Sequence, residues 1–192
     1  MDCTNIQKSL DWCEGTPEYA GIRRRVFYLA KNQIVKYPSL PRDTQGRATS
    51  SRTKGSFTLK ADQKFLAIDI LPDKSQLTSE AQGEFPSQTQ LNKLTLVHPG
   101  VGPDASAAAA YLNNNDNIFL VQDMKGYWRI VGCEKWITKT TVAQDNGQGA
   151  AGNTSTTINV EAPDEMPAPF YFGTLETEDG DIDCNIEAAA DK

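Results

Sequence analysis

His98 is the only histidine in the chain, so it bounds the general-base chemistry on offer. A Ser-His or Cys-His nucleophile pair has this one candidate base, and a multi-histidine metal centre has nothing to assemble from. Pro99 and Gly100 follow it directly. Proline lacks a ladder donor and glycine permits a sharp exit, so His98 reads as a structural or exposed side chain at a strand end. No G-x-S-x-G nucleophile elbow is present. Gly147-Gln148-Gly149-Ala150-Ala151-Gly152 spells G-x-G-x-x-G. That pattern receives a pyrophosphate only where it opens a helix, and here Asn153-Thr154-Ser155-Thr156-Thr157 follows, which favours a strand. Asp179, Asp181 and Asp183 alternate like the opening of a calcium loop, but Cys184 stands where glycine is needed and Ala190 where a bidentate glutamate is needed. Cys3, Cys13, Cys133 and Cys184 are scattered without a C-x-x-C pair, the pattern of free thiols in a reducing compartment rather than a disulfide or metal set. Trp12, Trp128 and Trp136 offer a sugar-stacking platform on paper, although Trp128 lies mid-strand and is more simply core. Carboxylate pairs for glycoside chemistry are defined in space, and the sequence marks none out. The expectation is a protein without catalysis, cofactor or bound metal.

The elements that carry these residues are mostly strands. Residues 91–134 organise the rest, reading as strand, helix, strand, turn and strand. Leu94 and Leu96 share one strand face, with Thr95 and Val97 on the other. Pro103 suits the first helical position and Asp104 the positive end of the helix dipole. Ala105, Ala108, Tyr111 and Leu112 lie near one stripe, and the asparagine run 113–115 predicts an exit through the left-handed conformation. Residues 118–121 read as a buried strand, and Asp123-Met124-Lys125-Gly126 as a type I turn into a partner strand over 127–133. Upstream, residues 23–29 and 34–37 are strand-like, followed by a long polar loop at 38–54. Residues 55–59 and 65–71 form further strands, with Leu66, Ile68 and Ile70 on the more apolar face. Residues 73–90 form a polar hairpin. Downstream, two threonine-rich flanks surround a Gly/Asn turn, Ile158, Val160 and Ala162 share a face, and Phe170-Tyr171-Phe172 makes a last short strand. This predicts a mainly β fold, a β-sandwich or barrel with one flanking α-helix. The domain spans 21–175, between an N-terminal arm at 1–20 and a loose acidic C-terminal arm at 176–192.

The 192 residues suffice for one domain with a sizeable core. No run approaches the ~20 apolar residues of a membrane helix. The opening MDCTNIQKSLDWCEG has acids and no apolar centre, which predicts no signal peptide and residence in a cytoplasm. A formal charge of −6 disfavours a protein that works by neutralising phosphates. Acids gather toward the C-terminus, and bases earlier, at Arg23, Arg24, Arg25, Arg42, Arg47, Arg52 and Lys54. Such polarity suits head-to-tail docking on copies of itself, and also suits two solvated faces.

The order of elements across about residues 55–175 carries a resemblance. A polar hairpin (76–90) leads through a strand into a helix (91–112). A short apolar strand with an Asp/Gly turn (118–126) and a strand ending in glycine (128–132) come next. A Gly-rich loop then precedes Thr156-Thr157-Ile158-Asn159-Val160-Glu161-Ala162, and Ala168-Pro169-Phe170-Tyr171 closes the domain. In this order the chain resembles the tail tube (major tail) proteins of long-tailed bacteriophages, and more distantly the inner tubes of contractile injection systems. The resemblance implies a virion structural protein made in the host cytoplasm. Its subunits would merge sheets into a sixfold ring, and rings would stack into a tube that joins other tail proteins and conducts DNA without binding it specifically. The polar strands around 79–90 would line the lumen, making Glu80, Gln82 and Glu84 the lumen-lining candidates, with the two acids repelling phosphates. The arginines of the 38–54 loop, Arg42, Arg47 and Arg52, would reach the acidic face of the adjoining ring. The alternatives are another ring-forming virion protein (tail completion or capsid decoration) and a bacterial carbohydrate-binding module.

Overall fold

Two uninterrupted apolar runs, residues 26–29 and 118–121, decide the architecture, because strands apolar on both faces must be covered on both. The computed structural model describes residues 9–185. The chain folds as β1 (Ile22–Ala30), β2 (Ile34–Lys36), β3 (Thr58–Leu59), β4 (Leu66–Asp69), β5 (Gln76–Gln82), β6 (Thr89–Pro99) and α1 (Pro103–Asn113). It continues as β7 (Asn117–Asp123), β8 (Trp128–Val131), β9 (Lys139–Asp145), β10 (Ser155–Asp164), β11 (Phe170–Tyr171), β12 (Thr174–Thr177) and β13 (Gly180–Asp183). A five-stranded sheet has the order β11-β8-β7-β1-β4 and a four-stranded sheet the order β5-β6-β10-β9. All neighbours in both are antiparallel. The mainly β sandwich with a flanking helix is thus the fold.

The expected alternation sorts the core into two layers. Val26, Tyr28, Phe119, Val121 and Val131 pack with Leu94, Leu96, Ile158, Val160 and Ala162 between the two sheets, with Leu66, Ile68 and Ile70 alongside. The intervening residues Phe27, Leu29, Ile118, Leu120, Trp128 and Ile130 point to the other side, where Phe57, Phe65, Tyr171 and Leu175 cover them. Burying each such side chain stabilises the fold by roughly 1.5–3 kcal/mol, which explains why the five-stranded sheet needs a second cover.

Helix α1 begins at Pro103 and anchors through the buried Leu112. Its end differs from expectation: Asn114 has φ −114°, not the left-handed exit. The asparagine side chains cap the last turn instead, Asn114 Nδ2 donating to the Ala110 carbonyl and Asn115 Nδ2 to that of Tyr111, each at 2.9 Å. The 123–126 turn is as expected, with Gly126 N–H donating to Asp123 O at 3.0 Å and Tyr127 N–H to Asp123 Oδ1 at 2.9 Å.

One boundary is corrected, and one loop has fixed partners. The acidic C-terminal arm does not begin at 176. Residues 174–183 form the β12–β13 hairpin, and Leu175, Thr177 and Cys184 are buried. Acids at alternate positions mask the apolar face of Leu175 and Ile182, which packs on the second core. The rest of that arm, 186–192, and residues 1–8 of the N-terminal arm lie outside the described residues. Residues 9–20 are exposed and without regular structure, as expected of an arm, and Leu10, Trp12 and Tyr19 project from it. The 38–54 loop is not a free projection either. Ser39 bridges Lys54, Arg42 bridges Ala48, and Arg52 bridges Phe170 of β11.

Candidate functional site

The two sheets treat their edges differently. The five-stranded sheet is closed at β11 by the loop, where Thr53 N–H donates to Phe170 O and Phe170 N–H to Ser51 O, both at 2.8 Å. Beside β4, Phe65 N–H donates to Glu176 O at 2.9 Å. Among the described residues no further strand pairs with the four-stranded sheet beyond β5 on one side or β9 on the other, although α1 lies along β9, with Ser106 Oγ donating to Gln144 Oε1 at 3.1 Å.

Its two faces also differ. Leu94, Leu96, Ile158, Val160 and Ala162 point inward. By register the opposite face carries Gln76, Thr78, Glu80 and Gln82 from β5, Leu91, Lys93 and Thr95 from β6, Thr157, Asn159 and Glu161 from β10, and Lys139, Thr141, Ala143 and Asp145 from β9. None of these residues is buried. Thr95 Oγ1 donates to Asn159 Oδ1 at 3.1 Å and Gln82 Nε2 to Thr89 Oγ1 at 3.1 Å, so polar side chains bridge the strands across the face. Glu80 is ion-paired with Lys93, and Lys139 lies 4.0 Å from Glu161. An isolated sheet face this polar is suited to water on its open side.

Of the lumen candidates, Glu80 and Gln82 lie on this face, while Glu84 lies in the β5–β6 turn beyond the strands. The lysine partners Lys93 and Lys139 were missed. Their signal was the alternation around Leu94 and Val160, which places Lys93 directly opposite Glu161 and diagonal to Glu80. The face is therefore polar and close to charge-balanced rather than strongly acidic.

The inter-ring candidates all have partners within the subunit. Arg42 Nη2 donates to both carboxylate oxygens of Glu165 at 2.9 Å, and Arg42 Nη1 to Gly46 O at 2.7 Å. Arg42 and then Lys135 hold the Glu165 carboxyl below its ordinary range. Arg47 pairs with Asp43 at 2.8 Å, and Arg52 lies over the Phe172 ring at 5.0 Å. This clamp borders a cavity of about 190 Å³ that also receives Cys133 and Asp164. Asp164 is 5% exposed, and burial pushes its carboxyl up to about 6.

The remaining chemistry-bearing residues are dispersed. His98 Nδ1 lies 2.7 Å from the Asp69 carbonyl, a structural contact between β6 and β4. The 147–152 glycine run forms the β9–β10 loop and leads into a strand. Trp128 belongs to the second core, whereas Trp12 lies in the exposed N-terminal segment and Trp136 in the β8–β9 connection. Asp179 pairs with Arg25 at 3.0 Å, and Asp183 accepts from the Asn185 backbone at 2.9 Å. Cys13, Cys133 and Cys184 are unbridged, and among the described residues no group of three or more His, Cys, Asp or Glu is placed to hold a metal ion. No helix among them is long and apolar enough to cross a membrane. Comparison with protein-family models, with curated proteins and with solved structures gave no match for this chain.

Proposed function

We propose that this chain is a tail tube subunit of a bacteriophage, a virion structural protein that closes into rings through its four-stranded sheet. One observation carries the reading: a sheet with a polar open face and an unpaired strand at each edge. The order β5-β6-β10-β9 is antiparallel throughout, so its two edge strands run in opposite directions. Head-to-tail repetition around an axis then sets β5 of one subunit antiparallel to β9 of the next. The alternation continues unbroken, and the ring has no sheet edge left. Its lining is the Thr, Asn and Gln face with its Lys–Glu pairs. Such a wall is wet, and it offers DNA no array of unpaired cations for counterion-releasing contacts.

A second reading, a ring-forming virion protein that does not stack, draws on the arginines of the 38–54 loop. Arg42 and Arg47 find carboxylates within their own subunit, and Arg52 an aromatic face. Negative-stain microscopy over a concentration series, with light scattering, separates the two. Tubes with a central channel support the tube reading, and single rings of fixed height support the second. A particle that stays monomeric at high concentration counts against both.

A further inference from the structure

The hydrogen-bond parity of the two edge strands limits how they can meet. On β6, Val97 N–H donates to Ser75 Oγ at 3.0 Å and Val97 O accepts from Leu71 N–H at 2.8 Å, so the odd-numbered residues of β6 address the β5 side. Their partners by register are the even-numbered residues of β5, which leaves the backbone groups of Leu77, Ser79 and Ala81 turned to the free edge. On β9, Val142 N–H donates to the Asn113 side-chain oxygen at 2.7 Å and, just before the strand, Thr138 N–H to Asp116 Oδ1 at 2.9 Å. The even-numbered residues of β9 are therefore the ones turned outward. Each strand is seven residues long.

We propose that the β9 edge receives β5 of a second copy in full-overlap antiparallel register, and that Asn113 guards this edge in the free subunit. This rests on the ring reading above. The register sets Leu77 opposite Gln144, Ser79 opposite Val142, and Ala81 opposite Thr140 as hydrogen-bonded pairs. Two requirements are then met together: outward backbone groups face outward backbone groups, and Thr78 on the polar face of one copy stands beside Ala143 on that of the next. Glu80 falls diagonal to Lys139, at the ~7–8 Å spacing where long side chains still interact. The Val142 N–H now held by Asn113 becomes the donor to Ser79 O of the arriving strand. Asp116 keeps its own partner, because Thr138 would fall opposite Gly83, beyond the end of β5. Side-chain caps of this kind protect an edge from indiscriminate pairing, and one that can rotate away leaves the edge open to a correct strand.

Cross-linking tests the contact in the full chain with Cys3, Cys13 and Cys133 replaced by serine. Thr78→Cys with Ala143→Cys, oxidised, is expected to give a ladder of covalent oligomers ending at the ring size. Gln82→Cys with Asp145→Cys, far out of this register, is expected to give none. Asn113→Ala is expected to assemble at about fivefold lower concentration, the equivalent of one hydrogen bond of ordinary strength released from competition. Rings on the grid without the ladder overturn the contact and leave the ring reading standing. A covalent dimer from Thr78→Cys alone shows β5 pairing with itself and also overturns it. An unchanged or higher threshold in Asn113→Ala, with its thermal unfolding unaltered, removes the guard role. Absence of any oligomer from wild type and Asn113→Ala alike overturns both the contact and the ring.

Discussion

Asp164 closes β10 with its carboxylate taking the Glu165 backbone N–H at 2.6 Å, yet it lies almost wholly out of water. Burial wins over those hydrogen bonds, and the carboxyl is raised from an ordinary 3.8 to about 6. The sign follows from linkage. The folded state holds this proton more tightly than the unfolded chain, so its contribution to stability is complete below the unfolded value. It is lost as pH rises through about 6. The loss reaches roughly 3 kcal/mol at most, because each tenfold gain in proton affinity is worth ~1.4 kcal/mol. Asp164→Asn keeps an oxygen that accepts the same N–H without the charge. It is expected to be more stable than wild type at pH 7 by about 1–3 kcal/mol and equal to it at pH 4. Urea unfolding at the two pH values measures this, and the same difference at both would show that burial of the charge is not its source. Asp43, Asp69 and Glu165 move the opposite way, all held below the ordinary carboxylate range, so the comparison must be made variant against wild type.

At the scale of elements, Gly132 ends β8 with φ +107° and lets the chain turn toward β9. A Cβ there would stand 2.7 Å from Thr138 Oγ1 and 3.0 Å from Ile118 Cδ1. Gly132→Ala therefore combines left-handed strain with overpacking, and is expected to cost roughly 2–4 kcal/mol. The denaturation midpoint should fall with the slope unchanged, and a midpoint shift equivalent to under about 0.5 kcal/mol would mean that the backbone relaxes freely here. That a strand led up to this glycine was legible in the sequence, although the expected strand over 127–133 runs two residues past the end of β8 at Val131. So were α1, the 123–126 turn, and the faces of β4, β6 and β10, because each is written in a local period or a turn residue. What was not legible depends on distant partners. The 38–54 loop looks like a free polar segment until Phe170 of β11 pairs with it. The β12–β13 hairpin looks like a solvated tail, because Glu176 and Asp181 alternate with Leu175 and Ile182. Asn92, wholly buried, accepts the Ala168 N–H at 2.9 Å. It sits in an otherwise ordinary strand pattern, and nothing nearby in the chain announces its partner.

At the scale of the whole molecule, ring closure and ring stacking in the proposed assembly would draw on different forces. The proposed lateral contact is a backbone ladder flanked by largely uncharged side chains, and salt weakens it little. Stacking through the 38–54 loop would instead set arginines against acids of the next ring, in competition with Glu165 and Asp43 of their own subunit. Exposed pairs of this kind contribute about 0–1 kcal/mol each, so stacking would depend on their number and on ionic strength. Raising salt from 0.1 to 1 M shortens the screening length from ~10 Å to ~3 Å. Tubes are therefore expected to shorten toward single rings at high salt, with ring diameter unchanged. Replacing Arg42, Arg47 and Arg52 together by Glu would also set like charge against Glu165, so the cleaner variant replaces all three by Gln. That variant is expected to form rings at the wild-type concentration and short stacks even at low salt, as read from length distributions in the microscope. Wild-type tube lengths in the triple variant would move the stacking contact elsewhere on the subunit. Loss of rings as well would show that the loop also supports the lateral contact.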